Sequence, residues 1–126
     1  MKILGIDFGL KNIGLALSES ELAEPFGQLK ITTIALLVEK LKKICLEQKI
    51  ELIVLGLPEG KIATPVKQFG QNLQKTINLP LIFQDETLTS KEATQKMLEI
   101  GKPLKKRRED HVFAACLILQ AYLDQQ

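Results

Sequence analysis

Apolar residues along this chain switch between two periods, and each switch marks an element. Residues 2–7 and 13–18 are short apolar runs joined by a tight glycine-containing turn. The run Ile3, Leu4, Ile6 is close to continuous, the pattern of a strand buried on both faces. A weaker third strand is expected at residues 29–32, with residues 21–27 and their Pro25 as the connecting loop. From Thr33 the period becomes helical. Ile34, Leu37, Val38, Leu41, Ile44 and Cys45 share one face, Glu39, Lys40, Lys42 and Lys43 lie mostly on the other, and Thr33 is placed to be the N-cap. Residues 50–55 form the next strand, ended by Gly56-Leu57-Pro58, so strand, helix and strand make a parallel crossover. Val66, Phe69 and Leu73 mark a second helix that stops near Asn78 and Pro80, and residues 81–83 a fifth strand. A helix is expected over residues 90–100, stopped by Gly101 and Pro103. A last one starts at Glu109 or Asp110 and carries Val112, Cys116, Leu119 and Leu123 on one face. The pattern is α/β: a five-stranded mixed sheet, antiparallel over its first three strands and parallel in its last two, with about four helices on its two sides.

Composition narrows the class without naming a task. A chain of 126 residues with 45% hydrophobic and 25% charged residues fits one globular domain over residues 1–126. A net charge of +2 argues weakly for any partner, so the distribution of charge matters more than its sum. No apolar run approaches the ~20 residues of a membrane span. Asp7 interrupts any signal-peptide core, so a cytoplasmic protein is expected. Cys45 and Cys116 fall on apolar helical stripes and are expected as reduced core residues, with no paired Cys/His spacing for zinc.

Acidic residues at element ends carry the chemistry. Asp7 closes the first strand between Gly5 and Gly9, Asp85 and Glu86 follow the fifth, and Asp110 opens the last helix. In a mixed sheet with strands one and five close together, these ends can meet at one edge, with the last helix aimed at the same point. Clustered carboxylates repel one another and coexist cheaply only around a cation. Hard oxygen donors suit Mg²⁺ or Mn²⁺, and paired ions about 3.5–4 Å apart are a recurring device for phosphodiester hydrolysis. Plainer roles stand beside this one. Asp85 also suits a turn, Asp110 also suits a helix dipole, and Thr89 with Glu92 makes a capping box. Lys102, Lys105, Lys106, Arg107 and Arg108 form the densest basic run, a solvated loop or, beside a carboxylate site, a grip on phosphates. Aromatic residues are only 5% and none interleaves with that run, so recognition is expected to rest on backbone and shape.

Four ordered blocks carry a resemblance over nearly the whole chain. They are the run Gly5-Ile6-Asp7-Phe8-Gly9-Leu10-Lys11-Asn12-Ile13-Gly14, then Val54-Leu55-Gly56-Leu57-Pro58, then Asp85-Glu86-Thr87-Leu88-Thr89-Ser90, then Ala114-Ala115 through Ile118-Leu119 to Tyr122-Leu123. Together they resemble the YqgF/RuvX family of pre-16S rRNA nucleases and Holliday-junction-resolvase-like proteins. The resemblance implies a ribonuclease H-like fold, cytoplasmic rRNA maturation, and a site built from Asp7, Glu86 and the carboxylate opening the last helix. It implies Mg²⁺ or Mn²⁺ as cofactor, with Asp7 shared between two ions and Glu86 and Asp110 each holding one. Cleavage by water would leave a 3′-hydroxyl and a 5′-phosphate. Lys11, Lys105, Lys106, Arg107 and Arg108 are the expected nucleic-acid contacts.

Four positions depart from the family pattern. Asn12 stands where Arg is usual, Glu19 where Asp is usual, and the loop after Pro58 is short. Counting back from Ala114-Ala115 puts His111, not Asp110, at the usual acidic position, and one residue is ~100° around a helix. Asp110 is taken as the third ligand, with His111 and Asp85 as alternates. Two other classes remain open. One is a nucleotide-binding module of the actin, Hsp70 and sugar-kinase fold, for which 126 residues are too few. The other is a non-catalytic RNA-binding assembly factor. The substrate can be pre-rRNA or branched DNA, and the protein a monomer or homodimer.

Overall fold

The computed structural model describes residues 1–86 and 111–126. Its five strands are β1 (Ile3–Phe8), β2 (Asn12–Ser18), β3 (Glu24–Lys30), β4 (Leu52–Leu57) and β5 (Leu81–Asp85). They form one sheet in the order β3-β2-β1-β4-β5. The pairs β1–β2 and β2–β3 are antiparallel, and β1–β4 and β4–β5 are parallel, as the apolar pattern implies. Three helices are described: α1 (Ile34–Gln48), α2 (Ala63–Ile77) and α3 (His111–Asp124). The helix expected over residues 90–100, with its Thr89–Glu92 cap, lies outside the described residues. No helix among the described residues is long and apolar enough to cross a membrane.

Strand alternation sorts the sheet into two packed faces. Leu4, Ile6, Ile13, Leu15, Ile53 and Leu55 point to α1 and α2, where Leu37, Leu41, Val66 and Leu73 complete a buried layer. Phe8 extends that layer by packing on Phe69 of α2 with ring centroids 4.6 Å apart. Ile3, Ala16, Leu52 and Val54 point the other way, against Phe113, Cys116, Ile118 and Leu119 of α3. Cys45 and Cys116 are buried thiols outside any disulfide, and burial raises the Cys45 thiol to about 11. Both cysteines thus behave as core residues.

Element boundaries differ from the expected ones for local reasons. β3 runs over Glu24–Lys30, earlier than residues 29–32, and includes Pro25. It is an edge strand, where a residue lacking an N–H is tolerated, and its ladder slips at Leu15/Ala16 opposite Pro25. β4 begins at Leu52 because Ile50 belongs to the end of α1: its N–H donates to the Cys45 carbonyl at 2.9 Å. Between them Lys49 takes a left-handed conformation, φ 56° and ψ 47°. At the other end of α1, Thr33 Oγ1 accepts from the Leu36 N–H at 3.2 Å, the expected cap.

One buried polar side chain ties α3 to the sheet's connections. Gln120 is fully buried. Its Oε1 accepts from the Ala23 N–H at 2.9 Å, and its Nε2 donates to the Glu21 carbonyl at 2.9 Å and to Asp124 Oδ1 at 3.0 Å. The β2–β3 connection is therefore pinned to the last helix by bonds shielded from water.

Candidate active site

Asp7 lies on the α3 face of β1, two residues beyond Gly5, and its side chain is only 13% exposed. A carboxylate so nearly buried needs partners. Across the antiparallel ladder it stands opposite Gly14 of β2. On the parallel side Ile6 pairs with Leu55, so Gly56 of β4 flanks it. Both glycines are required by close approach. A Cβ on Gly14 would collide with the carbonyl of His111, and one on Gly56 would collide with the Ile118 side chain and lie 2.8 Å from Glu86 Oε1. Their absent side chains let the first turn of α3 and the Glu86 carboxyl descend to the level of Asp7.

Three ionisable side chains meet in that space. His111 begins α3 and its Nδ1 is 2.8 Å from Asp7 Oδ2. Glu86, just past β5, hydrogen-bonds Asp7. Burial first, then that hydrogen bond, then the charges of Asp7 and Asp85, push the Glu86 carboxyl up to about 7. The proton it keeps is the one that lets two carboxyls share a bond. The walls of the cleft come from the β1–β2 turn (Phe8 to Asn12), Pro58 and Ile62, enclosing about 500 Å³. A smaller groove of about 390 Å³ at the opposite end of β2, lined by Lys2, Glu19 and Gln48 among others, is bridged by a Lys2–Glu19 ion pair of 3.2 Å.

Of the residues expected at the site, Asp7, Glu86, His111 and Lys11 border one cleft. Asp85 ends β5 beside it, exposed, and bears on it through charge. Asp110, Lys102, Lys105, Lys106, Arg107 and Arg108 lie outside the described residues. Among the described residues no three His, Cys, Asp or Glu side chains are grouped so as to hold a metal ion. Asp7 and Glu86 are nonetheless a fitting pair of hard donors for Mg²⁺ or Mn²⁺. Their mutual repulsion is relieved by a proton on Glu86, and a cation would relieve it in the same place. Sequence reasoning missed Gly14, Gly56, Leu10 and Ile62. The glycines were readable only through strand register, which puts them on both sides of Asp7.

Comparison with known proteins places this geometry among nucleases. The family model RuvX, described as Holliday junction resolvase, matches residues 1–125. A protein of Clostridium kluyveri provisionally named pre-16S rRNA nuclease is 40% identical, with 98% of this chain and 97% of the relative covered. One of Syntrophomonas wolfei with the same name is 37% identical over 98% of this chain and 94% of its own. Among solved structures, the RuvC of Thermus thermophilus in complex with a Holliday junction superposes with a TM-score of 0.68 at 10% identity, covering 99% of this chain and 94% of that one. The fowlpox virus Holliday junction resolvase gives 0.62 at 14% identity over the whole of both chains. At such identities these structures speak for the fold alone, a resolvase-type, ribonuclease H-like mixed sheet.

Proposed function

The chain belongs to the RuvX family, and from that membership we propose that it is a divalent-metal-dependent nuclease that matures the 5′ end of pre-16S rRNA. As a nuclease of this family it binds nucleic acid and hydrolyses phosphodiester bonds. The observation that carries the reading is the Asp7–Glu86 pair over its glycine floor. Burial first, and then the nearness of Asp7, let Glu86 keep its proton up to about pH 7. Such a pair has no structural need to be acidic, whereas a cation site does.

Asp7 and Glu86 would hold the ion, joined by Asp110 from the residue before α3. A bound Mg²⁺ or Mn²⁺ would supply the charge that polarises the phosphoryl group and eases deprotonation of water. The protein's own part is positional. His111 donates from Nδ1 to Asp7 Oδ2, which fixes the carboxylate's rotation and the imidazole's tautomer. The ring rests against the Gly9 turn, where a Cβ would come within 2.8 Å of it. Glu86 must release its proton to take up a cation, so binding strengthens as pH rises through about 7. Lys11 and the basic run at 102–108 would neutralise backbone phosphates of the substrate. The protein would act in the cytoplasm, where its substrate is made.

The deciding experiment is cleavage of a labelled pre-16S 5′-end RNA beside a four-way DNA junction, with Mn²⁺ or Mg²⁺, with EDTA, and with Asp7→Asn. Metal-dependent cutting of the RNA, lost in Asp7→Asn while that protein melts at the same or a higher temperature, is the expected result. Preference for the junction would instead favour the resolvase reading that the family's description suggests. Salt-sensitive binding without any cutting would leave a non-catalytic assembly factor.

A further inference from the structure

Two exposed aliphatic side chains stand at the mouth of an otherwise polar site. Leu10, at the tip of the β1–β2 turn, is 85% exposed, and Ile62, in the 3-10 turn Gly60–Ile62 that precedes α2, is 45% exposed. Both line the same cleft as Asp7 and Glu86. Topology explains the shared position. β1 and β4 are parallel neighbours, so the turn leaving β1 and the loop leaving β4 emerge at the same end of the sheet. Asp7 ends β1 between them. Scattered exposed aliphatics are ordinary, but two that converge on one acidic cleft, on separate turns, are not explained by packing among the described residues. Neither belongs to the buried core. The turn that carries Leu10 is held at its base by a Gly9 N–H to Asn12 carbonyl bond of 3.0 Å and by an Ile31 N–H to Lys11 carbonyl bond of 2.7 Å. Leu10 is therefore presented on a fixed loop beside Lys11.

We propose that Leu10 and Ile62 form an apolar clamp that takes the face of an unstacked base or its sugar next to the scissile phosphate, giving the site a preference for strands that are unpaired or splayed at the cleaved step. The inference rests on the nuclease reading above and deepens it. A phosphate held at the cation that Asp7 and Glu86 would bind brings its flanking nucleotide against whatever walls the cleft has. In a paired, stacked duplex the base faces are already covered, whereas in a single strand they are free for an aliphatic contact. Lys11, next in the chain, takes the backbone charge in either case. The clamp thus discriminates by strand state rather than by base identity, and it does so with aliphatic side chains rather than an aromatic stack.

The test uses the full chain and its Leu10→Ala, Ile62→Ala and double variants, with Lys11→Ala for comparison. Probes are a short single strand carrying 2-aminopurine and the same strand in a complete duplex, bound with Ca²⁺ in place of Mg²⁺, and then cleaved with Mn²⁺. Wild type is expected to bind the single strand more tightly and to change the fluorescence of the probe base. Leu10→Ala should weaken single-strand binding roughly 5- to 20-fold, raise KM with kcat retained, and abolish the fluorescence change while leaving duplex binding alone. Lys11→Ala should weaken both probes alike. Equal affinity of wild type for both probes, or a double variant that binds and cuts like wild type, would overturn the clamp and leave the nuclease standing. Failure of wild type to bind or cut either probe would remove both.

Discussion

A single methyl group placed on Gly14 tests whether the last helix must settle onto the sheet for the site to exist. Alanine at that position would put its Cβ into the His111 carbonyl and 2.6 Å from the Val112 nitrogen. These are backbone atoms, so no side chain can swing aside to accommodate it. Ordinary contact distance requires the first turn of α3 to lift by about 1 Å or more, and a 2.8 Å bond from His111 to Asp7 does not survive that displacement. Overpacking of this kind costs ~1–3 kcal/mol, and a backbone clash belongs at the upper end. For a domain of this size that is a fall of roughly 5–12 °C in melting temperature. Cleavage should drop further than stability, because ~1 Å of misplacement at a reacting centre is worth on the order of 100-fold. Gly27→Ala is the control, since nothing lies within 4 Å of its added carbon. Thermal melts and metal-dependent cleavage of the same RNA would be compared at a temperature where both proteins are folded. A Gly14→Ala protein that melts with wild type and cuts at its rate would refute the close approach of α3.

Three other outcomes follow from the same contacts. Glu86 has its folded-state pKa raised from 4.5 to about 7, so its contribution to stability is complete below pH 4.5 and lost as pH rises through 7. With partial exposure to water the loss is about 1–2 kcal/mol. Chemical denaturation of the metal-free protein at pH 5 and pH 8 should show it, Glu86→Gln should remove it, and Mn²⁺ should raise the melting temperature at pH 8 but not at pH 5. Gln120→Leu strands the buried Ala23 N–H and removes the bond to the Glu21 carbonyl, and should destabilise by about 1–3 kcal/mol, read as a lower urea midpoint; an unchanged midpoint would mean that this tie carries no weight. Lys49→Gly relieves a left-handed residue at the end of α1 and should stabilise by about 0.5–1 kcal/mol, whereas a loss would show that the Lys49 side chain matters more than its backbone.

Much of this architecture was legible because period and punctuation agreed. The β1–β2 hairpin, the Thr33 cap and the parallel return through β4 could each be read from the spacing of apolar residues around a glycine, threonine or proline. β3 was not, since an edge strand with Glu24, Pro25 and Phe26 exposed has no buried face to imprint an alternation. Ile50 misled for a different reason: its apolar character serves the helix end rather than the strand. At the site, Asp7 and Glu86 stood out as acids where strands run out. That His111 reaches Asp7 could not be read from the chain, because it depends on where α3 docks on the sheet. Gln120 was legible in principle, as the sole amide in the apolar stretch of α3, but its partners are backbone groups about 97–99 residues away and leave no mark in the sequence. Leu10 and Ile62 looked like ordinary turn residues until the two turns were found at one end of the sheet.

The bond between His111 and Asp7 joins residues 104 positions apart. A chain emerging from the ribosome completes its first hairpin early, since β1, β2 and β3 are consecutive neighbours, and such local pairings close quickly. Asp7 is then present but idle. Its helix-facing side, Gly5, Gly14, Ala16 and Val54, stays bare until residues 111–124 have been made and α3 docks. The site's geometry is therefore complete only once α3 has docked, and a chain cut short before α3 holds Asp7 without the partner that orients it. For an enzyme whose proposed substrate is a ribosomal RNA, the site thus depends on contacts between the two most distant parts of the described chain.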